Sequence, residues 1–138
     1  MYVFLQNRQV RCPTKAYLLH FAYDNELNLY FRTKIDTRHS LEVKENPYVA
    51  GNIVTQHGNK DKPRGVYFEG TCKIVEDDPE LTAAVDSYSE RFDIERESLS
   101  DKIKDEVHRL YKITVNKFYV FDARESSPSQ KYELEWNK

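Results

Sequence analysis

Glycine is scarce in this chain: Gly51, Gly58, Gly65 and Gly70 are the only four in 138 residues. Neither Gly-x-Gly-x-x-Gly nor Gly-x-Ser-x-Gly occurs. A dinucleotide-binding phosphate loop and a hydrolase nucleophile elbow are therefore excluded, since both need glycine where backbone approaches the ligand or turns sharply. Cysteine is scarce too. Cys12 and Cys72 form no ligand spacing with His20, His39, His57 or His108, so no zinc site is expected. Two isolated thiols suit a reducing compartment, each as a small apolar strand residue. The formal net charge of −2 argues against a nucleic-acid binder that works by bulk electrostatics. No apolar run approaches the roughly 20 residues of a membrane span, and no signal-peptide pattern is present. The expectation is a soluble cytoplasmic protein with residues 1–138 in one domain.

What the chain has in quantity is aromatic residues: ten Tyr, seven Phe and one Trp. Tyr on this scale suits strands and ring-stacking pockets. Strands are expected at Tyr2 to Leu5 and Val10 to Tyr23, the latter apolar enough to be covered on both faces. After the Asp24-Asn25 turn, Leu27, Leu29 and Phe31 alternate as a half-buried strand. Tyr48 to Thr55 and Val66 to Ile74 are further strands, with Gly70 marking a bulge or a close backbone approach. Ile113 to Phe121 continues the pattern with Ile113, Val115 and Tyr119 inward. Tyr132 to Trp136 ends it. Helices are expected after Asp36 or Thr37, with Leu41 and Val43 buried, and from Asp78-Pro79, with Leu81, Ala84, Val85, Tyr88 and Phe92 on one face. A third should start at a capping box, Ser98 to Asp101, and bury Leu99, Ile103, Val107 and Leu110. About six to seven mostly antiparallel strands with about three helices make a mainly β (α+β) domain, a closed or partly closed barrel.

One stretch concentrates hydroxyls and cations. From Leu29 through Asn46-Pro47 the chain reads as strand, tight loop and short helix. Between them lie Arg32, Thr33, Lys34, Thr37, Arg38 and His39, against one carboxylate at Asp36. Hydroxyls, cations and a helix N-terminus are what a phosphate group needs. By composition alone the same loop could be a solvated basic turn.

An ordered set of pieces resembles the pyridoxamine 5′-phosphate oxidase-like FMN-binding split barrels. Leu29-Tyr30-Phe31-Arg32-Thr33 is similar to the family's strand ending in an aromatic, any residue, then Thr. Thr37-Arg38-His39 stands where the family commonly has Ser-Arg-Lys. Glu45-Asn46-Pro47 and Gly65-Val66-Tyr67-Phe68-Glu69-Gly70 follow in the family's order, as does Asp78-Pro79-Glu80 entering a helix. The resemblance covers about residues 2 to 95. It implies a homodimer with FMN in a groove between subunits and a flavin-dependent oxidoreductase of unspecified substrate. Thr33, Thr37 and Arg38 would face the phosphate. Phe31 and Arg32 would pass along the flavin ring, and His39 would carry a pH-dependent charge. The Arg and Lys that the oxidase itself carries on the strand here reading Tyr17 to Ala22 are absent, as is a Gln near Gly65, which argues against vitamin B6 oxidation. The alternative on the same fold is a non-catalytic dimeric binding protein holding haem, a deazaflavin or no cofactor.

Overall fold

The computed structural model describes residues 2–7, 15–54, 58, 60–76, 78–103, 107–125 and 130–135. Eight strands form one sheet: β1 (Tyr2–Asn7), β2 (Lys15–His20), β3 (Ala22–Tyr23), β4 (Leu29–Lys34), β5 (Tyr48–Val54), β6 (Arg64–Ile74), β7 (His108–Asp122) and β8 (Lys131–Leu134). The order across the sheet is β2-β1-β5-β6-β7-β4-β3, with β8 on β7, and the pairings are antiparallel. The expected single strand over residues 10–23 is two strands where described, parted by Phe21 alone. That one residue carries the chain from one edge of the sheet to the other. The sheet is thus a split barrel whose two edges are a single bent segment.

Three helices complete the fold: α1 (Arg38–Glu45), α2 (Asp78–Phe92) and α3 (Arg96–Ile103). The barrel core gathers Phe21, Leu29, Phe31, Val49, Phe68, Cys72, Tyr111, Ile113, Val115 and Phe118, and α1 adds Val43 to it. A second cluster packs α2 and α3 outside the barrel, with Ala84, Val85, Leu99 and Ile103 against Tyr30 and Leu110. β4 is therefore covered on both faces rather than half-buried: Phe31 faces the barrel core, and Tyr30 faces the helices. The reverse holds for β2. It is an edge strand, and Leu18 is 55% exposed.

Gly70 sits at a register break. Glu69 pairs with Lys117 but Gly70 pairs with Val115, so Asn116 is the extra residue of a β-bulge. The bulge reverses the facing of β7. Ile113 and Val115 point inward before it and Phe118 after it, so Tyr119 does not take the expected inward place. The helices differ in detail as well. α1 buries Ser40 and Val43, leaving Leu41 52% exposed. α3 starts at Arg96, so Ser98 lies inside it and caps nothing at its start. The apolar spacing beyond Ile103 belongs to other elements: Val107 is exposed, and Leu110 is a buried residue of β7. Trp136 lies outside the described residues.

Candidate functional site

The turn between β4 and α1 is built by its own hydroxyls. Thr37, in extended conformation (φ −68°, ψ 153°), is the N-cap of α1, and its Oγ1 accepts from the Ser40 amide at 3.4 Å. Ser40 donates its hydroxyl to the Lys34 carbonyl at 2.7 Å, and Thr37 Oγ1 lies 3.0 Å from the same carbonyl and 2.7 Å from Ser40 Oγ. Each hydroxyl has one proton, so the Thr37 proton is used inside the turn. Its part is to hold the helix start in place.

Thr33 and His39 form the next pair. Thr33 Oγ1 lies 2.8 Å from His39 Nε2, and the imidazole contacts the rings of Tyr17 (4.9 Å between centroids) and Phe31 (6.4 Å). Burial pushes the His39 pKa below its ordinary value, outweighing the opposing field of Glu42. The imidazole is therefore neutral at pH 7, and a charge at this position would have to overcome its desolvation. Beneath it Phe31 stacks on Tyr111, 5.2 Å apart with planes 13° from parallel.

Arg38 lies in the first turn of α1, with its side chain 47% exposed. Its Nε donates to Glu42 Oε1 at 2.8 Å, and Glu42 is only 15% exposed. The Tyr17 hydroxyl donates to Glu42 Oε2 at 3.1 Å. Burial first, and that bond second, raise the Tyr17 pKa. The first turn of α1 contains no acidic residue, so the dipole end of the helix is not neutralised by its own sequence.

Phe31, Thr33, Thr37, Arg38 and His39 are thus linked through α1 and its preceding turn. Arg32 is not among them. It alternates with Phe31 along β4, on the face of Tyr30, and its field acts on Tyr88 of α2. Arg32 Nε is buried without a hydrogen-bond partner among the described residues. Two members of the cluster, Tyr17 and Glu42, were not singled out by the sequence. The Arg38/Glu42 spacing of one helical turn was the available signal for Glu42. Nothing local could place Tyr17 there, because β2 reaches α1 only through the fold.

A phosphate-bearing cofactor suits this donor set in part. Arg38 and the start of α1 offer a cation and a helix N-terminus, while the Thr33 and Thr37 hydroxyls already have partners within the turn. No group of three or more metal-ligating side chains occurs among the described residues. No helix among them is long and apolar enough to cross a membrane.

No family model matches the chain. In sequence it is 32% identical over 75 residues to UPF0306 proteins of Yersinia pseudotuberculosis and Yersinia pestis, a stretch covering 54% of this chain. The chain spans about half the length (50%) of these relatives. Among solved structures, the conserved hypothetical protein Rv2991 of Mycobacterium tuberculosis superposes with a TM-score of 0.73 at 18% identity, covering 99% of this chain and 82% of that one. HutZ, the haem storage protein of Vibrio cholerae, gives 0.69 at 17%, covering 86% and 84%. A Listeria innocua protein named as a candidate pyridoxamine 5′-phosphate oxidase gives 0.59 at 17%, covering 86% of each chain. The fold is that of the pyridoxamine 5′-phosphate oxidase-like split barrels. These identities carry the fold and no activity.

Proposed function

We propose that the chain binds FMN as a homodimer, with the cofactor between subunits and its phosphate at the first turn of α1, and serves as a flavin-dependent oxidoreductase. The observation that carries this reading is the Thr37-capped helix start, free of acidic residues in its first turn, with the Arg38 guanidinium half-exposed beside it. Arg38 would neutralise the phosphate. Thr37 and Ser40 would keep the turn rigid, and the neutral Thr33–His39 pair would add a polar contact without a charge. The Phe31 and Arg32 backbone would run beside the ring. FMN itself would supply the electron transfer, so the protein's part is binding, orientation and exclusion of water.

A second reading is supported by the names of two fold neighbours. HutZ is a haem storage protein, and a Mycobacterium smegmatis neighbour is a haem-binding protein. One experiment separates the readings: the absorption spectrum of the purified protein, followed by titration with FMN and with haemin. A flavin spectrum, or quenching of FMN fluorescence to saturation, supports the first reading. A Soret band with no FMN binding replaces it with the second. Failure to bind either ligand removes both and leaves a barrel that holds a deazaflavin or no cofactor.

A further inference from the structure

We propose that Glu42 sets the affinity of this site, as an internal carboxylate that holds Arg38 until a ligand phosphate displaces it. The inference rests on the FMN reading above. Three observations meet at Glu42. It is the anion bonded to Arg38 Nε, at 2.8 Å; it is largely buried; and its second oxygen is fixed by the Tyr17 hydroxyl at 3.1 Å. Tyr17 belongs to β2 and Arg38 to α1, so the carboxylate is held from two elements and cannot simply swing into solvent. It lies one turn into the helix, beyond the acid-free first turn, where its charge opposes any dianion placed at the helix start.

A phosphate at the helix start must therefore either share Arg38 with Glu42 or draw the guanidinium away from it. In either case a negative charge stays nearby, partly shielded from water, and weakens phosphate binding. The ring end of a flavin, carrying no such charge, is not subject to this penalty. Glu42 thus tilts the site toward ligands held by their ring and away from those held by phosphate alone.

The test compares FMN with riboflavin, which lacks the phosphate, by fluorescence quenching on wild type, Glu42→Gln and Glu42→Ala. Gln keeps the shape and an acceptor for Tyr17, whereas Ala removes the side chain beyond Cβ. Thermal melts confirm that each variant is folded. The expected result is FMN binding tightened about ten-fold in both variants, with riboflavin binding unchanged. Unchanged or weakened FMN binding in both folded variants overturns the role of Glu42 while leaving FMN binding by the wild type intact. Equal tightening of FMN and riboflavin also overturns it, because the effect would then be one of pocket shape. If neither the wild type nor the variants bind either flavin, the FMN reading falls and this inference with it.

Discussion

Thr33 Oγ1 and His39 Nε2 lie 2.8 Å apart, and this contact ties the end of β4 to the second residue of α1. Burial holds the His39 pKa below its ordinary value of 6.5, so the neutral imidazole belongs to the folded state. As pH falls from above that value, the unfolded chain takes up the proton first. The contribution of His39 is therefore present above about pH 6.5 and is lost as pH falls through the lowered folded value. His39→Gln should flatten the loss of melting temperature in this window. Asp24 and Glu80, whose pKa values are lowered from 3.8 and 4.5, contribute only as pH falls toward those values, so the slope just below pH 6.5 is free of them. A variant with the same slope as wild type would show that His39 does not titrate there.

Gly70 is required for space and not for torsion, since no described glycine has positive φ. A Cβ there would lie 2.4 Å from the Thr114 carbonyl oxygen. Gly70→Ala should cost about 3 kcal/mol in denaturant unfolding, because the obstacle is backbone and cannot rotate away. Gly58→Ala, whose Cβ would meet only the Asp61 carboxylate at 3.5 Å among the described residues, is the control and should change little.

Asp24 holds the hairpin between β3 and β4. Its carboxylate accepts from the Glu26 and Asn28 amides (2.9 and 3.0 Å), from the Asn28 side chain (2.9 Å) and from the Tyr30 hydroxyl (2.8 Å). Tyr30 is buried, so Asp24→Ala leaves its hydroxyl without that partner. A loss of about 2–3 kcal/mol is expected from urea melts. A loss below about 0.5 kcal/mol would mean that water replaces the carboxylate without cost.

Arg38→Ala should weaken FMN binding about ten-fold or more, the worth of one charge-assisted contact of roughly 1.5–3 kcal/mol. The chain should stay folded but melt at a somewhat lower temperature, since the change takes a half-exposed cation from the largely buried Glu42 carboxylate and leaves it the Tyr17 hydroxyl. Unaltered affinity in a fluorescence titration would move the phosphate away from α1.

Cys72 is buried in the barrel core, and burial pushes its thiol up to about 12. In a Cys12→Ser background the native protein should not react with a thiol reagent at pH 8, and should release one equivalent when unfolded. Rapid labelling of the native protein would show that the core opens locally around β6.

Much of the fold was legible because its signals are local. The Asp24-Asn25 turn, the stop at Pro47, the Asp78-Pro79 helix start and the apolar face of α2 each lie within a few residues of chain. Gly70 announced its bulge, but the extra residue is Asn116 on the partner strand, which carries no such mark. The inward place of Phe118 was hidden for that reason. The face of α3 was over-extended because Val107 and Leu110 continue a helical spacing that the chain leaves at Ile103. At the candidate site, Thr37 as helix cap was readable from residue type. The neutral state of His39 and the hold of Tyr17 on Glu42 depend on β2 lying against α1, a tertiary fact with no local trace.

The bend at Phe21 also bears on how the chain reaches this structure. Residues on either side of it must pair with β1 and with β4, which lie at opposite ends of the strand order. β4 in turn needs β7, and β1 needs β5, so both partners depend on contacts distant in sequence. The pairings on either side of Phe21 are themselves hairpins close in sequence, Asn7 with Lys15 and Tyr23 with Leu29, so the segment can form them before the sheet between its ends exists. The late steps are the joining of β1 to β5 and of β4 to β7, the long-range pairings that close the sheet around this bend, and they slow folding for a chain of this size.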